Sequence, residues 1–353
     1  MKIAIDVLPA EVNPAGIGQY TLSIISTLFE LDKENEYIIY STKPFATDKK
    51  NVVIKKNKFL PLSGVMWMYK VAKHAKENGV DVLISPSNML FPLLFPKTIQ
   101  FIHDLGPVRF PQFFSKKGAF MYKWLVKNIL PKAWKIAVVS ETVKQELVEY
   151  IKIDPDRVNV IYPSINTKML SEAVNFVDFS LPDKFFLSLT TLEPRKNIPS
   201  IIRGFGAYID QHKDDETALV VVGKKGWYYD AIFNEVNRLN LQNRVVFMGY
   251  VPDRYITSIV KKAQALIYLS HYEGFGMPIL EALNLDVPVI ASDIPVFREC
   301  FNVPGVEFVD DGDKEAVAAT MQKMLTEKSV VEFDKDRFTW EKSAQTLLNI
   351  LNS

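Results

Sequence analysis

ALIYLSHYEGFGMPILEAL, residues 265–283, sets an apolar run, a glycine-containing polar loop and a helical run end to end. The run ALIYLS is almost uniformly apolar rather than alternating, as a strand covered on both faces of a parallel sheet requires. Gly274 and Gly276 let the backbone bend sharply and pass close to a ligand. Pro278 suits the first turn of the helix that follows. The loop therefore lies at the carboxyl end of a buried strand, where open α/β sheets bind their ligands.

Runs of the same kind recur along the chain. They are KIAIDVL (2–8), YIIY (37–40), NVVIKK (51–56), DVLISP (81–86), TIQFIHD (98–104), KIAVVS (135–140) and VNVIYP (158–163). A second set comprises FFLSLTT (185–191), ALVVVG (218–223), RVVFMGYV (244–251), ALIYLS (265–270), PVIASD (288–293) and VEFVD (306–310). Helical spacing fills the segments between them. Strand–helix alternation in two sets predicts an α/β protein of two doubly wound, Rossmann-like lobes facing across a crevice. A length of 353 residues also exceeds what one core usually serves.

The stretch 163–184 is rich in Pro, Asn, Ser and Asp and has no strong period, so the boundary is expected there. The predicted division is 1–165, 166–335 and a final helix over 336–353, with Thr339 as its N-cap. Up to residue 165 the chain carries 22 Lys and Arg against 15 Asp and Glu, a balance of +7; the remainder carries −6. That asymmetry points one lobe at something anionic. A single cysteine, Cys300, excludes an internal disulfide and fits a reducing cytoplasm. No signal-like segment opens the sequence, and no apolar run reaches the roughly 18 residues a membrane span needs. The expected location is cytoplasmic, at most peripheral on the inner face of the plasma membrane.

Four stretches carry chemistry. In the opening loop, a helix start with free backbone N–H groups at Gly276 and Met277 is an anion site. Glu281, one turn into that helix, suits the two vicinal hydroxyls of a ribose, and Glu273 the hydroxyls of a second sugar. The plainer reading is a glycine turn whose acid favours the helix dipole. TTLEPRKN (190–197) puts Arg195 and Lys196 after another strand, with Asn197 placed to cap the next helix; a guanidinium fork and a point charge suit a diphosphate. An exposed basic turn is the bland alternative. NPAGIGQYTLSI (13–24) is half of a dinucleotide fingerprint. It lacks the third glycine, the short strand spacing and the later acid, so Gly16 and Gly18 read better as a glycine loop covering the crevice. FIHDLGPVRFP (101–111) offers His103 and Asp104 to orient a sugar or simply to hold their loop. There is no zinc-type spacing and no nucleophile-elbow or P-loop pattern. Asp311-Gly-Asp313 has the spacing of a metal-ligand pair but follows a strand distant in order from the diphosphate loops, so no metal site is expected.

EGFGMPILEA followed by PVIASD, with LEPRKN before it and AGIGQY and HDL earlier, resembles the retaining glycosyltransferases of the two-Rossmann (GT-B) type, family 4. The Glu–x7–Glu spacing from Glu273 to Glu281 is the most specific element, and the motifs run in order from residue 16 to 293. VSETVKQEL (139–147) and VIYPSIN (160–166) also resemble that family, although YPSIN lacks the glycine usual in its turn. The resemblance implies that Arg195 and Lys196 hold the diphosphate and Glu281 the ribose. Glu273 and the backbone of Gly274, Phe275, Gly276 and Met277 would hold the transferred sugar and β-phosphate. Gly16 and Gly18 would pass near the phosphates, His103 would line the sugar pocket, and the base would lie by Gly249, Tyr250 and Val251. The final helix would cross back to the first lobe. Transfer with retention would follow a front-face, oxocarbenium-like path, the leaving phosphate taking the acceptor's proton, with no nucleophile assigned to Glu273.

The implied reaction moves a hexose from a nucleotide-diphosphate sugar to a saccharide or lipid-linked acceptor in surface-polysaccharide assembly. There is no resident cofactor, and GDP-mannose is placed first among donors because the wording is most like the mannosyltransferase branch. The alternatives are a nucleotide-sugar 2-epimerase and a non-catalytic two-lobe sugar-binding protein. KKGAFMYKWLVKNILPKAWK (116–135) holds six lysines, four aromatics and no acid. On a helical projection Lys116, Lys123 and Lys127 fall together beside Phe120 and Trp124, with Met121, Leu125 and Ile129 predicted to face the core. Such a face suits an anionic membrane surface, or is a solvated helix. No nucleic-acid partner is expected, since no binding motif accompanies the charge.

Overall fold

A computed structural model describes residues 1–12, 16–55, 63–87, 89–165, 181–327 and 329–353. Residues 13–15 of the glycine stretch and most of the boundary stretch 163–184 lie outside the described residues. The chain divides into two compact units, Met1–Ser164 with Phe338–Ser353, and Ile165–Arg337.

The first unit is built on a parallel sheet of β1 (Lys2–Asp6), β2 (Glu36–Ser41), β3 (Lys50–Val53), β4 (Val82–Ser85), β5 (Thr98–Ile102), β6 (Lys135–Val138) and β7 (Val158–Val160). Their order is β3-β2-β1-β4-β5-β6-β7, so the winding reverses between β1 and β4. β1, β4 and β5 are buried along nearly their whole length, as their largely apolar runs predict. Ala4, Ile38 and Leu83 pack against Trp67, Val71 and Ala75 of the helix Ser63–Glu77. Trp67 satisfies its indole N–H on the Ile54 carbonyl at 2.7 Å.

The C-terminal helix Trp340–Leu351 also belongs to this unit and packs on the helix Ile17–Leu31. Thr339 caps it, accepting from the Lys342 N–H at 3.2 Å. Ser343 donates its hydroxyl to the Tyr162 carbonyl at 2.6 Å, and Ser164 donates to that of Phe338 at 2.7 Å.

The second unit repeats the plan with β8 (Phe185–Leu189), β9 (Ala218–Val222), β10 (Val245–Gly249), β11 (Leu266–Tyr268), β12 (Val289–Ser292) and β13 (Val306–Val309). All pairings are parallel, in the order β10-β9-β8-β11-β12-β13, and the reversal falls between β8 and β11. Ile201, Ile202 and Phe205 of the helix Ile198–Gln211 and Val317 and Met321 of Lys314–Thr326 cover Phe186, Leu219, Val221 and Ile267. Both units thus carry the doubly wound α/β architecture that the strand runs predict.

One helix is rotated from expectation. In Lys116–Asn128, Met121 is exposed and Leu125 only half-buried; Ala119 and Val126 turn inward, as does Ile129 just past its end. Lys123 is half-buried rather than fully outward. This helix has apolar residues on two faces, so periodicity alone does not choose between them. The neighbours choose: the Tyr122 hydroxyl reaches the Asp104 carbonyl at 2.7 Å, which turns Phe120, Met121 and Trp124 outward.

Candidate functional site

β11 ends at Tyr268, and the loop after it runs to Gly276, where the helix Met277–Asn284 starts with Pro278 in its first turn. Gly276 has φ 124°, a conformation side chains rarely adopt, and a Cβ there would lie 2.8 Å from the Phe297 ring. The glycine is thus fixed by both backbone and packing. Gly274 and Phe275 are buried, Phe275 with its ring against Phe301 at 5.3 Å, and Met277 is partly exposed.

The loop after β8 lies across the switch point from this one. Pro194–Lys196 forms a single 3-10 turn, and Asn197 follows in the left-handed region at φ 51°. Asn197 stands at the N-cap position of the next helix but does not cap it; its amide instead donates to Asp311 at 2.9 Å. The loops are tied together by the His271 N–H donating to the Arg195 carbonyl at 3.0 Å. His271 Nδ1 also lies 2.6 Å from the same Asp311 oxygen.

Within this frame the side chains form one charged cluster. Arg195 donates from Nη1 to Glu273 Oε2 at 2.9 Å and to the Tyr272 carbonyl at 2.9 Å, and from Nη2 to Glu193 Oε1 at 3.0 Å. Lys196 Nζ donates to Glu273 Oε1 at 2.5 Å and to the Tyr268 hydroxyl at 2.8 Å. That hydroxyl donates onward to Glu273 Oε1 at 2.9 Å. Glu273 and Glu193 are buried, and only 12–13% of the two cationic side chains is exposed. Burial alone would raise the Glu273 carboxyl, but Arg195 and Lys196 outweigh it and hold it at about 2. Burial lowers the Lys196 ammonium against the opposing pull of Glu273.

The structure therefore brings Arg195, Lys196 and Glu273 together. It does not join Glu281 to them: among the described residues Glu281 has no hydrogen bond or ion pair with that cluster. Burial, and secondarily the Asp253 carboxylate, raises Glu281 to about 7. At the end of β10, Gly249 has φ 67° and its carbonyl already accepts from Gly223 at 2.8 Å; Tyr250 is exposed and Val251 buried.

The switch point of the first unit is different in kind. Gly16 is exposed at φ 55° immediately before the helix Ile17–Leu31, and Gly18 is buried within it. Two residues on, the Tyr20 ring meets His103 edge-on at 5.1 Å and Trp340 at 5.3 Å. His103 follows β5, and its Nε2 donates to the Pro86 carbonyl beyond β4 at 2.9 Å. Burial holds its imidazole below the usual range, so the ring is neutral, with the proton on Nε2.

Asp311 and Asp313 do not stand as an open pair. Asp311 accepts from Asn197 and pairs with His271, while Asp313 caps Lys314–Thr326, accepting from the Ala316 N–H at 3.0 Å. No group of three or more metal-ligating side chains occurs among the described residues. Sequence reasoning missed Tyr268, Glu193, His271 and Asp311 as parts of the site. Tyr268 was hidden inside an apolar strand run, where its hydroxyl was the sole signal. Glu193 lay within the quoted TTLEPRKN motif, two residues before Arg195, and went unassigned.

The family model "Glycosyltransferase Family 4" matches residues 15–169, and "Glycosyl transferases group 1" matches 172–345. The chain is 27% identical over 313 residues to the O-antigen chain mannosyltransferase RfbU of Salmonella typhimurium, spanning 85% of this chain and 84% of that one. Its fold is similar to that of sucrose-phosphate synthase from Thermosynechococcus elongatus, with TM-score 0.77 and 19% identity over 100% of this chain and 98% of the other. It is also similar to the Anabaena HepE protein solved with UDP and glucose, with TM-score 0.75 and 17% identity over the whole of both chains. Two models that between them account for nearly every residue, on two parallel sheets with their switch points intact, leave one assignment: the chain belongs to the family 4 glycosyltransferases of the two-Rossmann, GT-B type.

Proposed function

We propose that the protein is a retaining, metal-independent hexosyltransferase that moves mannose from a nucleoside diphosphate donor to a saccharide or lipid-linked acceptor in surface-polysaccharide assembly. The observation that carries this reading is the buried Arg195–Lys196–Glu273–Tyr268 cluster at the β8/β11 switch point of a family 4 chain. The similarity to an O-antigen chain mannosyltransferase supports mannose as the sugar. Arg195 and Lys196 hold the leaving diphosphate, and each such preorganised donor lowers the barrier by about 3–4 kcal/mol. Glu281 accepts from the ribose hydroxyls, and Glu273 with the backbone of Gly274–Met277 holds the sugar. Gly249, Tyr250 and Val251 flank the base, with a Gly249 carbonyl that is already engaged. In the first unit, taken by itself, neutral His103 presents Nδ1 as an acceptor suited to a sugar hydroxyl. With Asp311 and Asp313 committed to His271, Asn197 and a helix cap, the positive groups rather than a cation neutralise the diphosphate.

The acceptor reading extends to a cytoplasmic membrane face. Phe120, Met121 and Trp124 are 73%, 50% and 49% exposed beside the exposed Lys116, Lys117 and Lys127. Same-handed crossovers place the helix Ser63–Glu77, with exposed Val65, Met66 and Tyr69, on the same layer of the sheet. No helix among the described residues is long and apolar enough to cross a membrane, so contact would be peripheral.

Incubation with GDP-mannose and an acceptor extract in EDTA, with the product anomer read by NMR, tests the core of the proposal. An α-mannosyl product formed without added metal is expected; an inverted product, or transfer restored only by Mg²⁺ or Mn²⁺, overturns it. Co-sedimentation with anionic vesicles tests the surface. Replacing Lys116, Lys123 and Lys127 by Gln should weaken binding by up to about 3 kcal/mol at low salt. Equal binding would leave these lysines an ordinary solvated face.

A further inference from the structure

The cationic cradle is not open to an anion as it stands. Two cations, Arg195 and Lys196, face two carboxylates, Glu193 and Glu273, so the cluster carries no net charge. Both Glu273 oxygens are engaged, Oε2 by Arg195 and Oε1 by Lys196 and Tyr268. An entering diphosphate needs the same N–H donors. Something has to give way.

The geometry distinguishes which group that is. Glu193 lies two residues from Arg195 in the same turn and moves with it. The Tyr272 carbonyl anchors the guanidinium from another side. Lys196 keeps the Tyr268 hydroxyl at 2.8 Å and lies over its ring, 5.3 Å from the centroid, whether or not Glu273 stays. Glu273 is the carboxylate that reaches both cations from the other loop, 77 and 78 residues away in sequence, next to Gly274 and three residues before the positive-φ Gly276.

We propose that Glu273 is an internal counter-anion of the cradle: the donor's diphosphate displaces it from Lys196 and Arg195, and after transfer it returns to expel the nucleoside diphosphate. Glu273 thereby does more than hold the sugar. Freed by the donor, its carboxylate becomes available to sugar hydroxyls only when a diphosphate is present. Once the sugar has left, it competes for the same cations and prevents the product from occupying the cradle. Tyr268 is the positioning residue that keeps Lys196 in place during the exchange. This inference rests on the reading of Arg195 and Lys196 as the diphosphate cradle.

The sign of one substitution separates this role from that of an ordinary binding residue. Glu273→Gln keeps the shape and removes the competing charge, so inorganic pyrophosphate and GDP should bind about tenfold tighter than to wild type. The gain should shrink as salt rises, while transfer slows. Glu273→Asp retracts the carboxylate by one methylene and should give a smaller gain in the same direction; it provides the same test if the Gln variant fails to fold. Titration calorimetry with pyrophosphate on the full chain reads all of these, with Arg195→Gln as reference. Pyrophosphate affinity unchanged or weakened in a folded Glu273 variant, with Arg195→Gln weakened, overturns the counter-anion and leaves the cradle. Arg195→Gln equal to wild type overturns the cradle reading itself.

Discussion

At the carboxyl ends of β8 and β11, four charged side chains and a phenol are locked in one nearly dry cluster. At the ends of β1, β4 and β5 the buried groups include the Asp6 carboxylate, which accepts from the Leu8 N–H at 2.9 Å, together with a neutral imidazole, the Tyr20 phenol and the rings of Phe101 and Trp340. Both places are switch points of parallel sheets with the same winding. In the second unit the crevice position is filled by charge, and its energetics are those of ion pairs whose desolvation must be offset by complete hydrogen bonding. In the first, the Asp6 carboxylate is bound to backbone and edge-on aromatic packing fills the rest, with hydrogen bonds to single backbone carbonyls: His103 to Pro86, and Tyr20 to Ile161 at 3.1 Å. Topology fixes where a ligand site can form in such sheets, and the side chains delivered there decide the chemistry of that place.

The comparison can be broken most forcefully in the aromatic half. Trp340 is nearly buried against Tyr20, and Trp340→Ala should destabilise the first unit by about 3–5 kcal/mol. Thermal unfolding should show this loss while nucleotide affinity, carried in the proposed reading by the second unit, changes little. A matching loss of nucleotide affinity would show that the two sites are not energetically separate.

In the charged half, Lys196→Ala should slow transfer by about 3–4 kcal/mol, with a smaller effect on donor binding, because the charge on the diphosphate grows as it leaves. Glu281→Ala should do the reverse, weakening nucleotide binding more than turnover. Turnover and donor affinity measured on both variants give the split, and identical patterns would contradict the division of labour between the two residues.

The smallest effect concerns protons. Glu281 is raised to about 7 in the folded protein against an ordinary value near 4.5. A raised acid favours the fold while it is protonated, so that contribution is complete below about 4.5 and is lost as pH climbs through 7. The loss is about 3 kcal/mol, and Glu281→Gln should flatten it in unfolding curves taken across that window. If the ionised carboxylate is what receives the ribose hydroxyls, nucleotide binding near pH 6.5 should release a fraction of a proton. Calorimetry in buffers of different ionisation enthalpy measures that release, and none would place Glu281 away from the ribose.

Much of this contrast was legible before any coordinates. TTLEPRKN and HYEGFGMPILEAL both follow short, largely apolar runs, and such runs, bounded by turn residues, read as strands covered on both sides, so each motif was expected at a sheet end. Less legible were features that depend on partners distant in sequence. Asn197 sits where a cap belongs, yet Asp311 takes its amide. Met121 has the right period for a core stripe, yet Tyr122 and its bond to Asp104 turn it to solvent. Asp311 and Asp313 share a ligand-like spacing, yet one serves two loops and the other a helix end.

By itself, the sequence determined the two sets of parallel strands, the glycine bends that end β11, and the concentration of cations after β8 and acids after β11. Hydrophobic period and backbone freedom are local properties that a chain writes in consecutive residues. Only the tertiary structure decided that Glu273 would neutralise Arg195 and Lys196, that Tyr268 would bridge them, and that Glu281 would stand apart from that cluster and near Asp253. Those relations depend on strand order, which reverses between β8 and β11 and so sets side by side two loops more than seventy residues apart. Burial then shuts out the water that would otherwise screen their charges, turning proximity into ion pairing.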